Sequence, residues 1–472
     1  MTDESSIDNP NVLFVFSDEQ RASAMGCYYG DEDLRTPHFD ACAVEGMRLD
    51  CAISSTPVCT PYRAMLMTGR YGHHTGSTTN SIHPDLSAHP CVAKSFESAG
   101  YRCGYIGKWH LGEVRLNAGH PLRLGFDDLW FVSSDDSHDY YHWSYVSSHD
   151  AEVHGEGFYR PQIESDKAIG FIREQDGEKP WLLMMSWGPP HSALRLKTPE
   201  PYVEPYLNRE LKQHPNTSKI PAGSPMKERV DSAYPHYYGL TAGLDIEFGR
   251  LMAALEETGQ KENTIVVFTS DHGDMLGSQG LMAKRWPFRE SSQVPFIIRW
   301  PGHIDSGSSL AMPIGTADIF PTLCGFAGID VPSGLDGRDC SDRILGKSSE
   351  DQAYTYLSMH HAYVPWPGWR GVRTDRYSYA RTEETPWILF DLENDPYEEH
   401  NLIGGNGSLE TEMEELLQEA MAGCGDSWRN VAREVGDAHL WRGPKQGSTQ
   451  LGAAAYPGSD LFEGAPGESY SL

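Results

Sequence analysis

Short apolar runs punctuate the first three quarters of the chain, and between them apolar positions recur at helical spacing. Residues 12–16, 181–185, 264–268 and 296–298 read as buried strands, with 101–106 as a weaker fifth. Runs without alternation are buried on both faces, which is the pattern of a parallel sheet with helices packed on either side. One such helix is explicit: Leu240, Leu244, Phe248, Leu251 and Leu255 share a face, and Gly259 follows as a C-cap. That stripe is core. No internal repeat and no heptad run is present.

From about residue 351 the texture changes. Residues 376–380 and 387–390 are aromatic-rich, alternating segments and read as antiparallel strands. A helix is predicted after them, with Ser408 as N-cap and Leu409, Met413, Leu416, Leu417 and Ala420 on one face. The expected fold class is α/β: a large, mostly parallel sheet covered by helices on both faces, with a smaller C-terminal α+β domain built on an antiparallel sheet. The expected divisions are residues 1–350, 351–424 and a Gly-, Pro- and Ser-rich tail over 425–472. That tail is expected to pack on its own body or on a neighbouring subunit of a homo-oligomer.

Charge narrows the partners. With 38 Lys+Arg against 67 Asp+Glu the formal net charge is −29, which argues against nucleic acid or anionic membrane. An ordinary solvated surface and a salt-rich habitat both accommodate so acidic a chain. The first residues, Met1-Thr2-Asp3-Glu4-Ser5, lack the basic start and apolar run of a secretory signal, and no segment is long and apolar enough to span a bilayer. Nine cysteines are scattered without the spacing of a zinc site or a disulfide framework, so cytoplasm is the expected compartment.

The polar residues that interrupt the pattern sit at the strand ends. Ser17-Asp18-Glu19 follows the first strand, Gly107-Lys108-Trp109-His110 the weak one, Gly188-Pro189-Pro190-His191 the second and Ser270-Asp271-His272-Gly273 the third. Open α/β sheets bind ligands at that edge, so four such ends predict one site. The sharpest local signal is Cys59-Thr60-Pro61-Tyr62-Arg63, with Thr68-Gly69-Arg70 after it. Proline near the first turn and Gly69 near the end frame a short helix, which puts Cys59 at the positive end of a helix dipole, poised to bind anions or to react. Taken alone, the pentapeptide equally suits a small buried residue opening an ordinary helix.

The C-x-P-x-R pattern followed by Thr-Gly-Arg resembles the signature of the formylglycine-dependent sulfatases of the alkaline phosphatase superfamily. The likeness continues in order through Asp18, Gly107-Lys108-Trp109-His110-Leu111-Gly112, Pro189-Pro190-His191, Ser270-Asp271-His272-Gly273-Asp274 and Lys284. In the smaller domain it takes in residues 389–396 and Asn401-Leu402, so it covers roughly residues 10 to 422.

The resemblance implies that a maturation enzyme oxidises Cys59 to formylglycine, whose hydrate attacks sulfur with one hydroxyl and expels sulfate with the other. Tyr62 stands where serine is commonest, while the Cys, Pro and Arg are kept. One divalent cation is implied, Ca²⁺ foremost with Mg²⁺ and Mn²⁺ as alternatives, held by Asp18, Asp271 and residue 59. Glu19 and His272 occupy the neighbouring ligand positions. Glu19 departs from the family's usual Asp or amide, and His272 has the alternative of binding a sulfate oxygen or the hydrate. By the same resemblance Lys108 and Lys284 bind sulfate oxygens, Arg63 steadies the formylglycine, His110 takes the proton of the second hydroxyl and His191 serves the leaving-group oxygen. Asn80 is a candidate oxyanion contact, or else a plain loop asparagine.

The aromatic, histidine-rich stretches 138–143 and 360–369 are expected to meet sugar or aryl groups, with packing between domains as the alternative. The activity implied is hydrolysis of aryl or carbohydrate sulfate monoesters. Phosphonate monoester or phosphodiester hydrolysis is the first alternative, and a non-catalytic binder of sulfated ligands is the second.

Overall fold

Along the first strand, Val12, Phe14 and Phe16 enter one apolar cluster while Leu13 and Val15 enter another. A strand whose alternate side chains are apolar on both faces must be covered on both, and that requirement organises the molecule. The computed structural model describes residues 9–28, 33–134, 139–147, 152–191, 198–360 and 368–428. In chain order its strands are β1 (Asn11–Asp18), β2 (Met47–Leu49), β3 (Ala52–Ile53), β4 (Arg102–Gly107), β5 (Leu129–Ser133), β6 (His142–Val146), β7 (Glu152–Glu156), β8 (Trp181–Pro190), β9 (Thr264–Ser270), β10 (Phe296–Arg299), β11 (Ser308–Leu310), β12 (Ile314–Gly315), β13 (Thr355–Met359), β14 (Trp369–Arg373), β15 (Tyr377–Thr382) and β16 (Pro386–Asp391).

Ten of these form one sheet in the order β11-β2-β10-β9-β1-β8-β4-β5-β6-β7, and β3 pairs with β12 beside it. The middle strands β9-β1-β8-β4-β5 are mutually parallel. The strand expected over 296–298 runs antiparallel to β9, as do β6 and β7 on the other flank relative to their neighbours. Burial on both faces marks a strand as central but carries no information about its direction, so the apolar run of β10 does not distinguish it from its parallel neighbours. Helices Arg160–Arg173 and Pro225–Glu257 cover one face, and helices Cys59–Thr68, Val92–Ser98 and Thr316–Ala327 the other. Gly259 follows the long helix in a left-handed conformation at φ 69°.

The smaller sheet is antiparallel in the order β13-β14-β15-β16, and helix Gly407–Cys424 packs against it. Its N-cap is Asn406 rather than Ser408: the Asn406 side chain accepts from the Leu409 N–H, and the Ser408 hydroxyl donates to that same oxygen. Two capping residues two positions apart compete for one helix end, and the upstream one wins here, starting the helix two residues earlier. Most of the expected tail, from residue 429 onward, lies outside the described residues. Among the described residues no helix is long and apolar enough to cross a membrane.

Candidate active site

Register brings the carboxylates together. Ser17 of β1 pairs with Ser270 of β9, and the Asp271 N–H donates to the Ser17 carbonyl at 3.0 Å, so Asp18 and Asp271 leave the sheet side by side. On the other flank the His191 N–H donates to the Asp18 carbonyl at 3.1 Å, which fixes the end of β8 to the end of β1. At the end of β4, Gly107 turns at φ 99°, where a Cβ would lie 2.1 Å from the Ser186 carbonyl. Only glycine makes that turn, and it lets the Lys108 N–H reach the same carbonyl at 3.0 Å.

Cys59 opens the helix Cys59–Thr68, whose ten residues are all buried and whose C-cap Gly69 is left-handed. The four-residue spacing to Arg63 sets both side chains on one face, one turn apart. Cys59 Sγ lies 3.2 Å from His272 Nε2 and 3.7 Å from Asp18 Oδ1. Arg63 clamps the carboxylates, with Nη2 3.3 Å from Asp18 Oδ2 and 3.1 Å from Asp271 Oδ2. Its Nη1 donates to the Lys108 carbonyl and to Ser186 Oγ, both at 2.7 Å. A guanidinium is suited to this because its planar fork offers several donors at fixed angles.

Ligand atoms of Asp18, Cys59, Asp271 and His272 lie within 4.8 Å of one another and are buried. Arg63 and Lys108 take the Oδ2 atoms, Lys108 Nζ at 2.5 Å from Asp18, so the Oδ1 atoms turn toward Cys59 and His272. With two carboxylates beside a thiol and an imidazole, the group fits a divalent cation.

Glu19, φ 72°, has its backbone held by the Asp271 carboxylate and the Tyr237 hydroxyl, and its carboxylate pairs with Lys284 and His191. Oε1 is 3.2 Å from Lys284 Nζ and Oε2 is 3.2 Å from His191 Nε2, while Lys284 and His191 themselves stand 2.5 Å apart. Asp18, Glu19 and His191 also make an adjoining ligand-type group, but there Lys284 already supplies a cation.

His110 is half-buried; its ring faces that of His83 at 6.0 Å between centroids, and its carbonyl accepts from Thr60 Oγ1. Asn80 acts on the nucleophile turn itself, its Oδ1 accepting the Thr60 N–H at 3.0 Å.

Electrostatics follow from this packing. Burial and Asp18 push the Cys59 thiol up, but Lys108, Lys284 and His272 outweigh them and bring it to about 6. Burial and the neighbouring Asp18 push Asp271 up to about 6, whereas Asp18, although buried, is held well below the usual carboxylate range by Lys108, His191 and Arg63. Burial, with Asp274 and Asp18 adding to it, takes Glu19 to about 8 against the pull of Lys284 and His272. His272 is raised to about 9: burial opposes the charge, and Asp271 and Cys59 favour it more strongly.

Residues 10–329 match the family model described as Sulfatase, and residues 277–423 match that described as N-sulphoglucosamine sulphohydrolase, C-terminal. The chain belongs to the sulfatase family. An ulvan-active sulfatase of Formosa agariphila is 35% identical over 434 residues, covering 89% of this chain and 83% of that one. A 4S-sulfatase structure from a Bacteroides thetaiotaomicron locus for glycosaminoglycan metabolism superposes with TM-score 0.79 at 25% identity, covering 91% of this chain and 99% of the other. The phosphonate monoester hydrolase of Agrobacterium radiobacter shares the fold alone, with TM-score 0.70 at 22% identity over 88% of this chain and 96% of that one. The protein is thus a sulfuric ester hydrolase of the alkaline phosphatase fold.

Part of the sulfatase's expected aromatic mouth lies outside the described residues, namely His138 and 361–367. Two of the aromatics that are described work behind the site: the Tyr140 hydroxyl donates to the His191 carbonyl at 2.9 Å, and Trp369 Nε1 donates to the Arg285 carbonyl beside Lys284. The sequence reading missed Ser186, Tyr105 and Tyr237. Ser186 carries a signal, being a lone hydroxyl within an apolar strand; Tyr105 and Tyr237, whose hydroxyls hold the Lys108 and Glu19 carbonyls, look like ordinary core aromatics.

Proposed function

We propose that this sulfatase acts on sulfated saccharides through formylglycine at position 59 and one divalent cation, Ca²⁺ before Mg²⁺ or Mn²⁺. The carrying observation is the cluster of Asp18, Asp271 and His272 around Cys59 at a helix N-terminus, with Lys108 and Lys284 both drawing the thiol down. A cation bound there would hold the anionic sulfate and lower the pKa of the attacking hydroxyl. A maturation enzyme is the partner this reading requires. The helix N-terminus favours a tetrahedral anion beside residue 59, and Lys108 and Lys284 hold its oxygens. His191 protonates the leaving oxygen, and His110 takes the proton from the second hydroxyl.

The ulvan-active relative and the glycosaminoglycan-locus structure support the saccharide class. Lys108 and His110 favour sulfate over phosphonate, because as a family the phosphonate hydrolases carry hydroxyl-bearing residues at those positions. Matched 4-nitrophenyl sulfate and 4-nitrophenyl phenylphosphonate, followed by sulfated saccharides, test the choice. The sulfate esters are expected to show the higher kcat/KM; a phosphonate better than every sulfate ester overturns it.

Two further expectations concern the carboxylates. Calcium needs Asp271 ionised, and in the metal-free site that carboxyl holds its proton up to about pH 6. Apparent calcium affinity should therefore rise about tenfold per unit as pH climbs toward 6 and then level off. Calorimetric titration between pH 5 and 8 reads this directly; a continued rise toward pH 8 would instead mean that Glu19, at about 8, or His272, at about 9, must also lose its proton to bind the ion, and the same titration on Glu19→Gln tells the two apart. Glu19→Gln should keep the full metal content and lose about ten- to hundredfold in kcat on esters with poor leaving groups, with much less on 4-nitrophenyl sulfate, because the lost charge frees His191 and Lys284. Loss of metal in that variant would contradict the positioning role.

A further inference from the structure

We propose that, while residue 59 is still cysteine, Asp18, Cys59, Asp271 and His272 form a four-ligand zinc site, and that oxidation of Cys59 exchanges it for a site suited to hard cations. The first half stands on geometry; the second rests on the formylglycine reading above.

Zinc takes thiolate sulfur at about 2.3 Å, imidazole nitrogen at about 2.0–2.1 Å and carboxylate oxygen at about 2.0–2.2 Å, nearly always in a tetrahedron. Ligand atoms at those lengths and tetrahedral angles lie about 3.3–3.6 Å from one another. The separations are 3.2 Å for Cys59 Sγ to His272 Nε2, 3.7 Å for Cys59 Sγ to Asp18 Oδ1, 3.4 Å for His272 Nε2 to Asp271 Oδ1 and 3.8 Å for His272 Nε2 to Asp18 Oδ1. Shifts of a few tenths of an ångström bring these four pairs to tetrahedral spacing, and the other two, Cys59 to Asp271 and Asp18 to Asp271, lie within 4.8 Å.

The surrounding shell is built for ligation. His272 Nδ1 donates to the Gly273 carbonyl at 3.0 Å, which aims Nε2 into the cluster, as metal-binding imidazoles require. The outer oxygen of each aspartate is held by Arg63, and that of Asp18 by Lys108 as well, so the inner oxygens have fixed directions. All four ligand residues are buried, which keeps competing water away. The ligand set also selects the ion. Calcium wants six to eight oxygens, and a sulfur and an imidazole are poor substitutes. Thiolate with imidazole is the combination that soft and borderline ions prefer. Binding displaces the thiol and imidazole protons to solvent, and the ion then faces two carboxylates and a thiolate. Replacing sulfur by the oxygens of a hydrated aldehyde removes the softest ligand and leaves His272 as the one nitrogen among oxygens, which moves the preference toward hard cations.

The test uses full-length protein made without a maturation enzyme, with cysteine at 59 verified by mass spectrometry and bound metal removed by chelator dialysis. Cobalt(II) is the spectroscopic probe and zinc the competitor. One equivalent of cobalt should give a near-ultraviolet thiolate-to-metal band with intense four-coordinate visible bands, and one equivalent of zinc should abolish both. Cys59→Ser should lose the thiolate band and bind zinc at least about a hundredfold more weakly, while calcium still raises its melting temperature as it does for a folded site. A cobalt spectrum without that band in the parent protein, or equal zinc affinity in Cys59→Ser, overturns the zinc site. Maturation-competent protein tests the exchange separately: formylglycine at 59 with an unchanged zinc preference overturns only the exchange. Absence of formylglycine in active protein would sink the proposed function and leave the cobalt result standing.

Discussion

Protein carrying Cys59→Ala is expected to fold, to bind a divalent cation and to turn over no sulfate ester. Cys59 is the first residue of a fully buried helix, and its side chain meets His272 and Asp18 rather than the apolar core. Removing one sulfur there leaves a small polar void and an unchanged helix, so stability should fall by no more than about 1 kcal/mol. Turnover has no such reserve. The remaining side chains can bind, orient and move protons, but none is placed to form a bond to sulfur and then release it, and loss of a covalent nucleophile costs about four to six orders of magnitude. Cys59→Ser should fare no better, since a serine sulfate ester has no aldehyde to regenerate. Turnover of 4-nitrophenyl sulfate and mass spectrometry of the tryptic peptide ending at Arg63 read the two sides of the claim. Full activity with only unmodified cysteine at 59 would falsify it.

The sheet and its functional edge were legible because one physical demand, burial on both faces, writes itself into the sequence as runs such as Val12-Leu13-Phe14-Val15-Phe16, and the polar residues that break those runs fall where the strands end. Direction was not legible for β10, since antiparallel and parallel strands buried on both faces have the same composition. Side-chain roles depended on a different kind of information. Arg63 lies one turn after Cys59, which says that the two share a face, yet its actual partners, Asp18, Asp271, Ser186 and the Lys108 carbonyl, come from four other strands or their ends. Only the register of β1, β8, β9 and β4 reveals them. Glu19 shows the same limit: one added methylene relative to aspartate lets the carboxylate reach Lys284 and His191, and no local pattern tells which neighbour it will choose.

Arg63→Ala should be the most destabilising single change in the site, and its cost should depend on pH in a way that identifies the cause. The guanidinium is fully buried between two carboxylates, donates to a backbone carbonyl and a serine, and lies over the Phe16 ring at 5.0 Å. Deleting it leaves Asp18 and Asp271 facing each other without that cation, a loss of about 3–5 kcal/mol for a broken buried pair. Arg63→Lys should recover only part, because an ammonium cannot serve both carboxylates, the carbonyl and Ser186 at once. The sign with pH follows from Asp271. Its carboxyl is raised to about 6 in the folded protein even with Arg63 present, above the unfolded value of about 3.9, so the folded state gains on the unfolded as pH falls through that range. Without Arg63 the raised value climbs further, and protonation then relieves the repulsion. The difference in melting temperature between parent and Arg63→Ala should thus be greatest above pH 7 and shrink toward pH 5. Calcium should narrow it too, by supplying positive charge to the same two carboxylates. Thermal melts at pH 5 and 8, with chelator or with calcium, give the four values needed. A gap that is constant across all four conditions would mean that Arg63 stabilises by packing alone, and the carboxylate clamp would have to be abandoned.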